Sequence, residues 1–290
     1  MMSWSTCQNA AEFVRQRHAE LHLHESKNCL AWGAIERWES TPADTPKVRF
    51  LTYKAGADVT AHALLSGDEE HLILGAIPPD EAEQLIEFLN RKGVCLRTIE
   101  GPEAIAAQFL YDWTSAHELS VDQRMRQGLY ELRSVNLPDT QGGTLVQASE
   151  PHHKDLCALI HGFLNTFDEP WMTPAQIDAR AQRFIEERRA YLWQIPSGEL
   201  VSLAAVVRET PNTASISWVY TPPKRRRKGY AGCLVGSLSQ AQLGAGKSAC
   251  NLHTDLDNPT SNAIYQRLGY RMIARSLRAQ LNVKKSPTKD

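Results

Sequence analysis

The chain has 290 residues, enough for two domains of ordinary size, and its 42% hydrophobic and 22% charged residues are typical of a globular protein. A formal net charge of −1 argues against a general attraction to nucleic acid or to an anionic membrane surface. No run reaches the roughly 18 apolar residues of a membrane span, and the N-terminus lacks a signal-peptide pattern. These features predict a cytoplasmic protein and leave its oligomeric state open.

The spacing of cysteines and histidines predicts no metal site. Reduced thiols are favoured over disulfides or a zinc site because six scattered cysteines form no CxxC pair: Cys7, Cys29, Cys95, Cys157, Cys233 and Cys250. His18, His22 and His24 share one predicted helix, but no set of cysteines or carboxylates accompanies them. We therefore expect a surface helix rich in histidine at this place.

The first half alternates helices with short strands. Apolar residues at spacings of three and four predict a helix over 11–38. Alternating runs split by Gly, Asp and Glu predict an antiparallel meander over 48–77. Pro before an acidic turn, with Lys and Gly at the end, predicts a helix over 78–93. A strand, a helix and a strand are expected to follow at 94–101, 102–113 and 127–135.

The second half repeats this element order after a predicted linker. Residues 136–143, NLPDTQGG, combine Pro, Asp and two Gly without periodicity. We then expect strands at 144–149, 191–195, 200–209, 213–221, 249–255 and 270–281, and helices at 153–164, 174–190, 229–244 and 261–269. The recurrence predicts an α/β fold of two tandem domains, 1–135 and 144–290, each a mostly antiparallel mixed sheet flanked by helices.

A cluster of cations precedes a glycine at the start of the predicted helix 229–244. The run KRRRK, residues 224–228, leads into Gly229. A turn from strand to helix presents free backbone N–H groups at the positive end of the helix dipole. Gly229 lets the backbone approach a ligand without an intervening Cβ. This arrangement suits a diphosphate.

Three motifs in this region resemble the GNAT family of N-acetyltransferases. RRKGYA, residues 226–231, fits the family pattern Q/R-x-x-G-x-G/A. WVYTPP, which precedes it, looks like the splayed fourth strand of that fold, and DNPTSNAIYQRLGYR is similar to the closing segment. The resemblance covers residues 144–281. It implies an enzyme that transfers the acetyl group of acetyl-CoA to a primary amine of a small molecule or peptide by direct attack.

The first half lacks such a phosphate loop. Acidic residues that would repel a diphosphate stand at the corresponding helix start: Asp80, Glu81 and Glu83. By the same resemblance, residues 1–135 look like the degenerate amino-terminal half of tandem GNAT proteins. We therefore expect one acetyl-CoA per chain, bound by the second half.

The resemblance also implies roles for particular residues. A pantetheine arm paired with the strand end, a diphosphate on the turn and polar contacts from the last helix imply these cofactor-binding residues: Val219, Tyr220, Thr221, Arg226, Arg227, Lys228, Gly229, Tyr230, Ala231, Asn258 and Asn262. Tyr265 matches the catalytic tyrosine that protonates the departing thiolate. Its alternative interpretation is a core aromatic on an amphipathic helix.

No residue is clearly marked as the base that deprotonates the amine. His253 shares a strand face with Asn251 and Asp255, as expected from the period of two in a strand. Glu209, in a turn, and Glu169, in a loop, are weaker candidates, and a water-mediated path is also open.

The sequence does not identify the amine that accepts the acetyl group. It also leaves two other classes of protein as alternatives. In this family the segment 152–173 shapes the acceptor pocket, and here it carries His161, Phe163, Phe167, Asp168, Glu169 and Trp171. One open class is a CoA-binding regulatory protein that has lost its chemistry. The other is a nucleic-acid binder that uses residues 224–228, which is disfavoured because the rest of the chain shows no basic face.

Overall fold

The structure is a computed structural model. It describes residues 2–42, 45–56, 58–68, 70–140, 142–167 and 172–283. The chain forms two compact units: the first comprises the residues up to 129, together with 255–257 and the segment from 273, and the second comprises 130–254 and 258–272. Within the described residues, none of the helices combines the length and the hydropathy that a membrane span requires.

One order of elements occurs twice along the chain. The first ten elements are β1 (Ser3–Thr6), α1 (Ala10–Leu23), α2 (Cys29–Ser40), β2 (Arg49–Ala55), β3 (Asp58–Leu65), β4 (His71–Leu74), α3 (Pro79–Arg91), β5 (Thr98–Pro102), α4 (Glu103–His117) and β6 (Leu119–Leu132). The next ten are β7 (Thr144–Gln147), α5 (His153–Leu164), α6 (Pro174–Glu186), β8 (Ala190–Gln194), β9 (Leu200–Glu209), β10 (Thr213–Tyr220), α7 (Tyr230–Gly244), β11 (Ala249–Asp255), α8 (Pro259–Leu268) and β12 (Arg271–Val283). The predicted duplication is therefore present in the topology.

Each unit contains a mixed sheet that is mostly antiparallel, as predicted. In the first unit the strand order is β1-β2-β3-β4-β5-β12; among these neighbours, within the described residues, β4 and β5 run parallel and the other pairs antiparallel. In the second unit the order is β7-β8-β9-β10-β11; for the part of the chain that the structure describes, β10 and β11 run parallel and the other neighbours antiparallel. Each parallel pair arises because a helix, α3 or α7, carries the chain back along the sheet between the two strands.

The last strand does not follow the contiguous domains that the sequence predicted. β12 pairs antiparallel with β5, and its Leu277, Ala279 and Leu281 are buried in the core of the first unit. The compact units thus divide near residue 130 and assign β12 to the first of them, unlike the expected domains 1–135 and 144–290. The alternating apolar pattern of β12 marks a strand with one buried face, but it does not name the partner strand.

The helix predicted over 11–38 is two helices. Asn28 stands between α1 and α2, and its Nδ2 donates to the carbonyl oxygens of Glu20 (3.1 Å) and His24 (3.2 Å). These bonds satisfy carbonyls at the end of α1, which is a common role for an asparagine side chain at a helix boundary. The short strand β1 was not predicted.

Candidate active site

β10 and β11 separate after a short paired stretch. Residues 213–215 pair with 249–251, and among the described residues the register goes no further. On its other side β10 shifts register against β9 on both sides of Ser217, and Trp218 has a left-handed φ of 56°. This irregularity is a bulge, which bends a strand away from its neighbour. The backbone of residues 216–220 on the side of β11, which we call the open edge, therefore has the form that an extended ligand pairs with.

The open edge leads into a turn, residues 221–229, that ends in a helix start without a side-chain cap. Gly229 is the N-cap of α7 with φ 80°, and its carbonyl accepts the bond from the N–H of Cys233 (3.0 Å). The N–H groups of Tyr230, Ala231 and Gly232 come before that first helical bond, and the first turn carries no acidic residue. An anion is therefore favoured at this end of α7.

The four cations nearest to Gly229 are not equivalent. Arg225 is paired with Glu199, to which its Nε donates at 2.9 Å. Arg226 donates from Nε to the carbonyl of Thr221 (2.9 Å), and its guanidinium carbon lies 5.9 Å from the centre of the Tyr220 ring. Arg226, like the exposed Arg227 and Lys228 of the same turn, adds positive charge beside the helix start.

Small residues let α8 pack closely on α7. A Cβ on Gly232 would lie 3.8 Å from Cγ2 of Ile264, and one on Gly236 would lie 3.0 Å from Cδ2 of Leu268. The helix that carries Tyr265 is thereby held against the first turns of α7.

The two predicted asparagine contacts lie at the start of α8. The Oδ1 of Asn258 accepts from the backbone N–H of Ser261 (3.1 Å), so this side chain serves as the N-cap of the helix. Asn262 is half-buried in the first turn of α8. The sequence motif placed both residues correctly at the helix start, and the cofactor contacts assigned to them stay predictions.

Tyr265 and Tyr270 are both buried, but their hydroxyl groups differ. Their rings meet edge to face with centres 6.0 Å apart. The hydroxyl of Tyr270 is hydrogen-bonded to the Oγ of Ser239 (2.8 Å), whereas no hydrogen bond joins the Tyr265 hydroxyl to another residue in the described ranges. Burial raises the pKa of Tyr265 to about 12, so the phenol holds its proton at neutral pH. Tyr265 is thus a core aromatic residue whose hydroxyl keeps its proton and makes no hydrogen bond to another described residue.

The corresponding helices of the first half, α3 and α4, have neither the acid-free helix start of α7 nor the tyrosine of α8. The α3 helix begins after Pro78 with Asp80 and Glu81 in its first turn, and Thr60 donates to the Glu81 carboxylate (2.7 Å). Sequence alignment of EAIAAQF at the start of α4 with NAIYQRL in α8 places Ala106 opposite Tyr265. This alignment was not found in the sequence analysis because the two segments share only Ala and Ile in register.

The structure separates the candidates for the base. Glu209 lies opposite Ala214, at the end of β10 remote from the turn, and forms an ion pair with Lys247 (3.1 Å). Glu169 falls outside the described residues. His253 is half-buried on β11, two residues beyond the part that pairs with β10. Of the two described side chains, His253 alone lies where the strands have separated.

Asn251, on the same strand face as His253, is a structural residue. It is fully buried, its Nδ2 donates to the Oγ1 of Thr213 (3.2 Å), and its Oδ1 accepts from the Oγ of Ser215 (2.7 Å). These bonds join β10 and β11 where the two strands still pair, which fixes the point from which they separate.

Aromatic residues of α5, α6 and the bulge form a cluster. Phe163 lies 4.8 Å from Trp218 and 5.4 Å from Phe167, and Phe184 lies 5.8 Å from Trp218, between ring centres. The sequence pointed to Phe163, Phe167 and His161 as acceptor residues, whereas Asp168, Glu169 and Trp171 are outside the described residues. Trp218 was missed because the bulge breaks the alternation by which a strand residue is assigned to a face. Phe184 was missed because it lies on α6, outside the segment 152–173 to which the acceptor residues were assigned.

Comparison with known proteins agrees with this topology. Residues 195–279 match the model of the FR47-like protein family. The fold is shared with a Drosophila protein (TM-score 0.69, 13% identity, 98% of this chain and 100% of that one) and with a GCN5-related N-acetyltransferase from Sphaerobacter thermophilus (0.64, 13%, 98% and 96%). A tandem GNAT protein from the clavulanic acid biosynthesis pathway also shares it (0.55, 11%, 99% and 100%). No curated protein sequence matches significantly. The chain has the GNAT fold in its tandem form.

Proposed function

We propose that this protein is an acetyl-CoA-dependent N-acetyltransferase, in which the second unit binds one acetyl-CoA and transfers its acetyl group to a primary amine of a small molecule or peptide. One observation carries the proposal: the open edge of β10 leads directly into an uncapped helix start beside three cations. A ligand that joins an extended amide-containing arm to a diphosphate matches this sequence of features.

The end of β10 and the turn that follows it bind different parts of the cofactor. The backbone of Val219, Tyr220 and Thr221 offers hydrogen bonds to the amides of the pantetheine arm. The end of this strand is held in place because Ser202 donates to the carbonyl of Tyr220 (2.8 Å). The diphosphate receives the N–H groups at the start of α7 and the charges of the basic turn.

Tyr265 serves as the general acid. The amine nitrogen attacks the thioester carbonyl, the carbon–sulfur bond breaks, and the sulfur takes the phenolic proton; the phenolate then recovers the proton that the amine has released to solvent. Burial raises the pKa of the phenol to about 12, above that of a free thiol at about 8.5. A thiolate that leaves inside the same poorly solvated site is destabilised by the same desolvation, which raises the pKa of the thiol. The difference in pKa between the phenol and the thiol is therefore smaller in the site than in water.

The proton on the amine leaves through water or through His253. His253 is favoured over Glu209 because it lies beyond the point where β10 and β11 part, whereas Glu209 is ion-paired at the other end of β10. Amine acceptors enter beside the aromatic cluster around Trp218, whose rings suit the apolar part of such a molecule.

Calorimetry followed by a turnover screen tests the proposal. Acetyl-CoA is titrated into the full chain, with a single-stranded oligonucleotide of equal charge as the control. We expect one acetyl-CoA per chain and no oligonucleotide binding at physiological salt. Release of free CoA thiol is then followed with a panel of primary amines and amino-terminal peptides. Two equivalent acetyl-CoA sites, or preference for the oligonucleotide, would contradict the proposal.

The same experiment separates an enzyme from a regulatory protein that only binds CoA. The regulatory alternative is supported by one observation: Glu209, the carboxylate candidate for the base within the described residues, is ion-paired with Lys247 at the end of β10 remote from the turn. It predicts that acetyl-CoA binds one per chain and that no amine in the panel accelerates thiol release above the rate without protein.

A further inference from the structure

The described residues hold one group of three side chains whose donor atoms suit a metal ion: His153 and Cys157 on α5, and Asp178 on α6. Residues four apart on a helix lie on one face, so the imidazole and the thiol are neighbours. The carboxylate reaches them from the adjacent helix. The group lies outside the residues assigned above to the cofactor and to catalysis.

The geometry is close to that of a tetrahedral zinc site. The Nε2 of His153 lies 3.6 Å from the Oδ1 of Asp178, and its ring nitrogens lie 3.9 Å from the Sγ of Cys157. All three donor atoms lie within 4.8 Å of one another. Zinc bonds of about 2.1 Å to nitrogen or oxygen and about 2.3 Å to sulfur place tetrahedral ligands about 3.4–3.6 Å apart. The His153 pairs need shifts of a few tenths of an ångström, and donor atoms up to 4.8 Å apart need to approach by about 1.2 Å to close the site.

The side chains are able to make these shifts. The Asp178 side chain is 69% exposed and the His153 side chain 27% exposed. The neighbouring His152 is engaged elsewhere, because its Nδ1 accepts from the backbone N–H of Ser149 (3.1 Å) in a capping box. His153 has the more suitable position for a metal, beside Cys157 and Asp178.

The donor set selects the kind of metal. Magnesium and calcium take oxygen ligands, whereas a thiolate and an imidazole favour zinc and its chemical relatives. Three protein ligands leave a fourth position for water. We propose that His153, Cys157 and Asp178 bind one zinc ion that clips α5 to α6.

Such a clip would fix the position of α5 on the sheet. The α5 helix packs on β10, and a Cβ added to Gly162 would lie 2.6 Å from the Tyr220 ring. A zinc ion between α5 and α6 would hold the two helices that flank the segment 165–173. The site therefore has a positioning role and takes no part in proton transfer at Tyr265.

Zinc titration of the metal-free full chain tests this proposal. The chain is stripped with a chelator, titrated with zinc by calorimetry, and titrated with cobalt(II) to look for the thiolate-to-metal absorption band. We expect one zinc per chain and a thiolate band. Loss of a second-shell partner alone weakens metal sites about 10–100-fold, so Cys157→Ser is expected to weaken zinc binding at least about 100-fold and to abolish the band.

Cys95→Ser is the matched control, because Cys95 is an exposed thiol in the first unit. It is expected to leave both the zinc affinity and the cobalt band unchanged. If Cys157→Ser does not fold, Asp178→Asn tests the zinc site instead, because Asp178 is exposed and its replacement does not disturb the core. Asp178→Asn is expected to weaken zinc binding by a comparable factor. Zinc binding that survives both Cys157→Ser and Asp178→Asn, or a cobalt complex without a thiolate band, would overturn the proposal.

Discussion

The helix starts of α3 and α7 occupy the same place in the repeated topology and differ in almost every feature that matters to an anion. The α3 helix has Pro78 as its N-cap, begins at Pro79 and carries two acids in its first turn. The α7 helix begins at a glycine with φ 80°, has no acid in its first turn and follows five consecutive cations. Because the strand-helix-strand unit is the same, a few side chains, and not the fold, decide whether the dipole of the helix is available to a ligand.

The two halves differ in the same sense at the next helix. Tyr265 of α8 carries a protonated hydroxyl, whereas Ala106, at the aligned position of α4, is buried without any polar group. The first half has thus kept the architecture and lacks both groups that the proposed chemistry uses. Four predictions test this contrast.

The largest effect is expected from the proton donor. Tyr265→Phe should lower the rate of acetyl transfer by about 100-fold or more and leave the dissociation constant of acetyl-CoA nearly unchanged, because only the hydroxyl is removed. Tyr270→Phe is the matched control: it removes the hydrogen bond to Ser239 and should reduce stability without reducing the rate. Equal losses of rate in the two variants would mean that Tyr265 is a core aromatic and nothing more.

Acid is expected to destabilise the first unit selectively. His62 is buried beside Phe13, and burial, with a smaller contribution from Arg17 and opposition from Glu20, lowers its pKa to about 4. The unfolded chain binds a proton near pH 6.5 and the folded chain does not, so stability is present above that pH and is lost as the pH falls toward 4. The loss is about 2 kcal/mol at pH 5.

Hydrogen exchange measures this difference. The amides of β3, which carries His62, should lose protection between pH 7 and pH 5 after correction for the intrinsic exchange rate. Those of β9 in the second unit should change less. Equal loss of protection in both strands would contradict the assignment to His62.

A smaller effect is expected from the cations of the turn. Arg226→Gln should weaken acetyl-CoA binding about tenfold at low salt, and less at high salt because the side chain is exposed. Arg225→Gln is its neighbour and control, since Arg225 is already paired with Glu199, and should change the affinity little. If isothermal calorimetry gives the same loss for both, the turn acts through its total charge and not through Arg226.

The smallest effect separates backbone strain from ligand contact. Gly229 and Gly93 both have left-handed φ angles, 80° and 68°, and a Cβ on either would meet no atom within 4 Å. Replacement by alanine should therefore cost both variants about 1 kcal/mol of stability. Only Gly229→Ala should also weaken acetyl-CoA binding. A change in acetyl-CoA affinity with Gly93→Ala would show that strain alone accounts for the effect.

Local patterns predicted the parts of the molecule that local forces determine. The bounds of α5, β9 and β11 came out as predicted, because hydrophobic periodicity and the flanking turn residues are contained in those segments. The position of Gly229 at the start of α7 was also predicted, because Gly229 is part of the motif RRKGYA. The cofactor and catalytic roles of the motif residues stay predictions.

The features that the sequence did not reveal depend on distant partners. The bulge at Trp218 results from the register between β9 and β10, and the pairing of β12 depends on β5, about 170 residues earlier in the chain. The group of His153, Cys157 and Asp178 escaped notice for the same reason, since its third member comes from another helix. Contacts of this kind are set by packing and leave no local period.

The pairing of β12 with β5 determines which of the two units is completed first during protein synthesis. Residues 273–283 are translated after every residue of the second unit, yet they supply a strand of the first. The half that leaves the ribosome first is therefore the half completed last, and until then the outer side of β5 presents unpaired N–H and C=O groups. A nascent chain arrested before residue 271 would expose the unpaired edge of β5. Such an edge is a place where a chaperone or a second nascent copy would bind.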